Sequence, residues 1–182
     1  DLGNYEISEL FSLNSIFKEF IKSELLFNEN LSLDVSIFAK TNTLRDIFNS
    51  AEIYFNIING KINFDNSKFV NRDIGFLKLI KSNLFLENDK LILNADLSIF
   101  IKNSDNLFSF LNTNKKSRKD IKNILINLDY DFLSGQIKFN KIKIDNNKVS
   151  DQFLNILDDF NSNNNLIKSR RLLNTLFDIY EG

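Results

Sequence analysis

The chain contains no cysteine, histidine, proline, tryptophan or methionine, and only 5 glycines in 182 residues. Each absence excludes something. Without cysteine no disulfide forms, and cysteine usage leaves no trace of the redox compartment. Without cysteine and histidine together, the usual zinc, copper, iron–sulfur and haem ligand sets are missing. Ser–His–Asp triads and Cys–His dyads go with them, as does the side chain most used for acid–base chemistry near neutral pH. Carboxylates, lysines, tyrosines and hydroxyls remain, a thin kit for catalysis. The expectation is a protein that is not an enzyme and uses no metal or cofactor. Gly60, Gly75 and Gly135 stand far apart, so no glycine-rich phosphate loop exists.

Other absences concern placement. Methionine is missing even from position 1, so the chain is expected to be a processed or excised piece of a longer one. No apolar run approaches the roughly 20 residues of a membrane-spanning helix. No signal peptide is recognisable, and any membrane anchor is expected outside this piece. The formal net charge is −1 with both signs scattered, which gives no electrostatic pull toward nucleic acid.

Asparagine, lysine, isoleucine and phenylalanine are plentiful, asparagine reaching roughly one residue in six, far above ordinary usage. All four have A/T-rich codons, so this excess is read as genome bias rather than function. Residues 5–22 have helical spacing, with Ile7, Leu10, Phe11, Phe17, Phe20 and Ile21 recurring along one side. From Leu31 the period becomes two: Leu31, Leu33, Val35 and Ile37 alternate with Ser32, Asp34 and Ser36, a strand with one wet face.

Three hairpin turns test themselves by the registers they impose. Folding at Asn59-Gly60 sets Ile57 against Ile62, Phe55 against Phe64 and Asn56 against Asn63. Folding at Asn88-Asp89 sets Leu86 against Leu91, Leu84 against Leu93 and Glu87 against Lys90. Folding at Ser134-Gly135 sets Phe132 against Ile137, Tyr130 against Phe139 and Asp131 against Lys138. A slip of one residue in any of them would turn every apolar side chain outward.

Further strands are expected around Ile74, Phe76 and Ile80, along Leu91 to Ile101, and along Ile124 to Phe132. Near Asn140-Lys141 the apolar alternation slips by one residue, the signature of a β-bulge. Asp105 is expected to cap a short helix carrying Leu107, Phe108 and Leu111. Ser150 is expected to start another through Phe160, and a last helix spans residues 166–180. The fold class is mainly β with flanking α-helices (α+β), a curved antiparallel meander. Its segments are an amphipathic helix over 1–27, a β-groove over 28–149 with a short helix near 105–111, and helices over 150–182.

Most polar clusters read as surface. Lys115, Lys116, Arg118 and Lys119 would suit anionic headgroups or nucleic acid, but a charge run of this kind ordinarily marks a solvated connection. Asp129 and Asp131 share a strand face, as paired acid–base carboxylates would; their alternation with Leu128, Tyr130 and Phe132 puts them on the solvent side. Asp65 with Asp73, and Asp158-Asp159, lack metal-loop spacing. Lys168, Arg170 and Arg171 read as the outer face of a helix packed on the sheet, with a membrane-surface role as the alternative. The apolar strand faces are left. They outnumber what a few short helices would cover, and the residues alone leave open whether they form a core or a ligand groove.

The stretch Asn59-Gly60-Lys61-Ile62-Asn63-Phe64-Asp65-Asn66-Ser67 resembles the G-x-I-x-F-x-x-S hairpin of AsmA-like C-terminal regions. The run Leu91 to Ile101, the helix after Asp105, the strand Tyr130-Asp131-Phe132 leading to Gly135-Gln136-Ile137, and the turn Asp145-Asn146-Asn147 continue the same order. The resemblance covers most of residues 28–150.

Members of that family, including the TamB and YhdP type, are anchored in the inner membrane of diderm bacteria and extend through the periplasm. The resemblance therefore implies a non-enzymatic, periplasmic segment of an inner-membrane-anchored protein of the cell envelope, with the anchor outside this piece. It implies that phospholipid acyl chains are shielded in an apolar β-groove for transport between inner and outer membranes, in outer membrane biogenesis. It implies no catalytic residues. It assigns lining roles to Leu33, Val35, Ile37, Phe55, Ile57, Ile62, Phe64, Leu93, Leu97, Ile99, Ile126, Leu128, Tyr130, Ile137 and Phe139. The alternative is an assembly module for outer-membrane proteins acting by β-strand addition, with envelope proteins as its partners.

Overall fold

A computed structural model of the chain describes residues 23–40, 47–157 and 166–180, together with Glu19. The helix expected over 5–22 and the pair Asp158-Asp159 lie outside the described residues. A single antiparallel sheet of nine strands dominates, in the order β1-β2-β3-β5-β6-β7-β8-β9. Its strands are β1 (Leu33–Lys40), β2 (Ser50–Ile58), β3 (Lys61–Asn63), β4 (Lys68–Asn71), β5 (Gly75–Glu87), β6 (Lys90–Ile101), β7 (Asn123–Asp131), β8 (Ile137–Ile144) and β9 (Asn147–Lys148). Among the described residues the α-helices that accompany it are α1 (Ser104–Leu111), α2 (Asp151–Leu157) and α3 (Leu166–Ile179). The architecture is the mainly-β meander with helices that the alternation and turn spacing imply.

Turn chemistry sets the registers. Asn59-Gly60 (φ 50° and 72°), Asn88-Asp89 (49° and 60°) and Asp145-Asn146 (47° and 71°) each place two successive residues in the left-handed region, as a two-residue type I′ hairpin requires. The pairs Ile57 with Ile62 and Asn56 with Asn63 form as the first turn dictates, and Phe55 and Phe64 bring their rings to 5.2 Å. Leu84 with Leu93, Leu86 with Leu91 and Glu87 with Lys90 follow from the second. Among the described residues, every non-glycine residue at positive φ is Asn or Asp. Their short polar side chains tolerate that conformation, so the abundant asparagine takes positions that glycine, scarce here, usually fills.

The third hairpin differs from expectation. Tyr130 pairs with Ile137, Asp129 with Lys138 and Leu128 with Phe139, a shift of two residues. The connection is wider than Ser134-Gly135 alone because Asp131 builds its own turn. Its carboxylate accepts from Leu133 N–H (2.9 Å) and the Ser134 hydroxyl (2.6 Å), while Gly135 N–H donates to Asp131 O at 2.8 Å. A shift of two preserves the faces and changes only the partners. Phe132 and Ile74 fall just outside their strands. The bulge near Asn140 is present: Asn127 faces Lys141 and Leu128 faces Phe139, leaving Asn140 over.

A second irregularity interrupts the strand between β2 and β5. β3 and β4 lie end to end there, β4 pairing with both β2 and β5. Two buried serines replace the missing ladder bonds. Ser67 Oγ accepts from Tyr54 N–H (2.9 Å) and donates to Tyr54 O (3.2 Å). Ser82 Oγ accepts from Phe64 N–H (2.7 Å) and donates to Asp65 Oδ1 (2.8 Å), which also receives Ser82 N–H (2.6 Å). The adjacent strand yields at the same level, its register shifting between Leu79 and Lys81 and leaving Ile80 52% exposed. Bulges on neighbouring strands bend a sheet and increase its local twist.

The helices seal one end. Asn103, rather than Asp105, caps α1, its side chain accepting from Asn106 N–H at 2.9 Å. Asn112 ends α1 in the left-handed conformation (φ 59°), a familiar helix stop. Ser150 Oγ accepts from Phe153 N–H (3.3 Å) at the start of α2. Phe108, Leu111, Phe153, Leu157, Leu176, Phe177 and Tyr180 pack with Ile101, Ile121, Ile142 and Ile144 into one buried cluster. Phe108 meets Phe177 edge-on at 5.1 Å. Asn174 ties α3 to the end of α1, donating to Leu111 O at 2.9 Å and accepting from the Thr113 hydroxyl.

Candidate functional site

The registers sort every strand residue onto one of two faces, because directly paired residues point the same way. Leu33, Val35, Ile37 and Ala39 of β1 pair with Ile57, Phe55, Ile53 and Ala51 of β2. Ile57 then pairs with Ile62, and Ile62 with Leu84. Leu84, Ala95, Leu97 and Ile99 carry the face across β5 and β6, Ile124, Ile126, Leu128 and Tyr130 across β7, and Ile137, Phe139, Ile142 and Ile144 across β8. Fourteen of the fifteen residues marked as lining from the sequence share this inner face by register, and Phe64, just past β3, joins them through its ring contact with Phe55.

Their exposure is uneven. Phe55, Ile57, Ile62 and Phe64 are 1–5% exposed and belong to a second buried cluster with Leu26, Ile53, Leu79, Leu84 and Leu91. In this conformation those four are core, reached by a ligand only if that packing opens. Val35, Ile37, Leu93 and Leu97 flank this cluster half-buried, and Ile99, Ile126 and Phe139 flank the helical one in the same way. Leu33 is 39% exposed. Leu128, Tyr130 and Ile137 are half-buried near the β7–β8 hairpin, where the Tyr130 ring leans on Phe132 at 4.8 Å. The inner face is therefore closed at two places and half open between them.

The outer face mixes apolar side chains, among them Phe76 and Phe100, with polar ones that bond one another. Asn94 donates to Asp129 (2.6 Å), Asn127 to Asp96 (2.8 Å), and Asn140 to both Asn127 (3.1 Å) and Asp129 (2.9 Å). The bulge at Asn140 sets that amide over β7. Asp129 and Asp131 do stand on this outer side, each occupied by neighbours rather than aimed at a common point. Burial acts to raise the Asp131 pKa. The Ser134 hydroxyl, the N–H groups of Leu133 and Ser134 and the Lys90 charge outweigh it and hold the carboxyl below its ordinary value. A depression beside the serine bulge is lined by Glu52, Tyr54, Asn56, Lys68, Phe76 and Lys78, with Lys68 Nζ 4.5 Å above the Phe76 ring.

Several residues of the remaining polar clusters have structural partners. In the basic connection, Arg118 donates to Thr113 O (3.2 Å) and lies 3.8 Å from Asp105, while Lys119 sits over the Tyr180 ring at 5.2 Å. Lys115 and Lys116 are exposed. Asp73 O accepts from Asn106 at 3.0 Å. On α3, Arg171 is exposed, whereas Arg170 is half-buried with its guanidinium 4.4 Å from the Phe110 ring. Arg170 thus packs inward, apart from the exposed Lys168 and Arg171. Among the described residues no group of three or more His, Cys, Asp or Glu side chains is placed to hold a metal. No described helix is long and apolar enough to cross a membrane.

Sequence reasoning missed the serine–aspartate bulge at Ser67, Ser82 and Asp65. Its signal was available in the interval between Phe64 and Phe69, where alternation lapses for four polar residues. Comparison with family models, curated proteins and solved structures returned no match to the chain.

Proposed function

We propose that this chain is a lipid-handling segment of an AsmA-like envelope protein, shielding phospholipid acyl chains along the inner face of its sheet. One observation carries the reading. A single apolar face runs from β1 to β8, and its side chains stay half-buried between two sealed clusters. An apolar surface of this kind is favourable in water only when something covers it. Acyl chains suit it, because each buried methylene contributes about 0.8 kcal/mol with no directional bond to break. A chain would be retained along the face yet remain free to slide. Headgroups would stay in water at the rim. In this reading the parent protein sits in the periplasm with its anchor in the inner membrane, and no catalytic residue is involved.

The test is extraction. The purified chain, expressed in a diderm bacterium, is extracted with organic solvent and the extract analysed by mass spectrometry for phospholipid. Bound phospholipid is expected, and Leu128→Asp on the inner face should remove most of it. Leu125→Asp, three residues away on the outer face, should leave it in place. A lipid-free, monodisperse protein, or equal loss from both variants, would sink the reading.

A further inference from the structure

We propose that two copies of this chain pair through β1, edge to edge and antiparallel, to form one continuous sheet about a twofold axis at Ile37. The argument begins from the two edges. β1 lies at one end of the sheet and pairs only with β2 among the described residues. It leaves Phe38 59% and Leu33 39% exposed. The opposite edge is defended. The short β9 covers the end of β8, and Lys138, Lys141, Lys143 and Lys148 crowd that side, Lys143 directly opposite Lys148. Edge lysines discourage another strand from docking. β1 carries a single lysine, Lys40 at its end, accompanied by Asp34 of opposite charge.

The occupant follows from the charges on β1. Asp34 and Lys40 are its charged residues, both exposed, both pointing to the outer face, and each three residues from Ile37. Neither has an ion-pair partner among the described residues. In an antiparallel pairing of β1 with a second β1 centred on Ile37, Asp34 of each copy stands opposite Lys40 of the other. Val35 then meets Ala39, Ile37 meets its own counterpart, and Ser36 meets Phe38. Apolar inner residues stay with apolar ones, and the Asp34–Lys40 pair is made twice. Odd shifts would set the apolar face against the polar one. Shifts of two would set Asp34 against Phe38 or Lys40 against Ser36. A second copy is therefore a partner whose charges and inner apolar residues this edge matches, and the inner apolar face would run unbroken across the axis. This inference rests on the edge and is independent of bound lipid.

Because the chain has no cysteine, one introduced thiol reports the geometry cleanly. Residues directly opposite in an antiparallel pair have Cα atoms about 4.5–5.5 Å apart, inside the range a disulfide spans. Oxidised Ile37→Cys is expected to give a covalent dimer. Ser36→Cys is not, since each copy's residue 36 then faces residue 38. Analytical ultracentrifugation of the delipidated 182-residue chain should show a concentration-dependent dimer. Asp34→Lys should weaken it roughly tenfold or more, and combining it with Lys40→Asp should restore the wild-type constant, a rescue that unfolding cannot mimic. A chain that stays monomeric, with its edge free or filled by a strand from another protein, overturns the proposal. So does a dimer indifferent to the charge reversal, or equal cross-linking at positions 36 and 37.

Discussion

Replacing Ser82 with alanine tests whether the interrupted strand is held by side-chain hydroxyls. Ser82 is 7% exposed. The substitution removes the acceptor used by Phe64 N–H at 2.7 Å and the donor to Asp65 Oδ1 at 2.8 Å. Taking the partner from a buried backbone donor costs about 1–3 kcal/mol, and losing a hydrogen bond to a carboxylate adds to that. Asp65 keeps Ser82 N–H at 2.6 Å, which limits the second loss. The expected total is about 2–3 kcal/mol. For a chain of this size that lowers the midpoint of thermal unfolding by about 4–12 °C.

Urea unfolding gives the free energy, and hydrogen exchange should show Phe64 N–H losing protection. Ser98→Ala is the control, a half-buried outer-face residue of the neighbouring strand, expected within about 0.5 kcal/mol of wild type. Asp65→Asn combined with Ser82→Ala should be non-additive by about 0.5 kcal/mol or more, because both remove the same bond. If Ser82→Ala matches the control and exchange at Phe64 is unchanged, the hydroxyls do not hold the bulge.

Two further outcomes follow from local geometry. Gly75 has φ 150°, and a Cβ there would lie 1.9 Å from Phe100 O of the adjacent strand. Gly75→Ala should therefore cost roughly 3–5 kcal/mol, read as a collapse of the urea midpoint or loss of soluble protein. A near-wild-type midpoint would refute that close approach. Asp131 has a depressed folded-state pKa, so its contribution is complete above its unfolded value, near 4, and disappears as pH falls through the lower folded value. Wild type should exceed Asp131→Asn in stability by a constant margin from pH 7 to about pH 5, and the margin should close below about pH 4. A margin unchanged at pH 2.5 would show that the charge plays no part.

Alternation made the inner face legible without any coordinates. Side chains on a strand repeat every two residues, so Leu93, Leu97 and Ile99, or Ile126, Leu128 and Tyr130, must share a side whatever the sheet does next. Turns with a strong local preference, Asn59-Gly60 and Asn88-Asp89, carried their registers with them. Ser134-Gly135 did not, because the Asp131 carboxylate competes for the same backbone, capturing Leu133 N–H and the Ser134 hydroxyl two and three residues further on. The cap of α1 fell to Asn103 rather than Asp105 for a similar reason. Both residue types suit the position, and the arrival of β6 decided which one held it.

Periodicity by itself determined which residues of this protein face inward, since the two-residue repeat follows from the geometry of one extended chain. Which of them are covered was decided only by the tertiary structure. Phe55, Ile57, Ile62 and Phe64 share their alternation with Leu128, Tyr130 and Ile137, yet the first four are sealed and the last three half-buried. Coverage depends on where bulges at Ser67, Ile80 and Asn140 bend the sheet and where α1, α2 and α3 come to rest. The helix positions rest on contacts between residues far apart in sequence, and no local pattern encodes them.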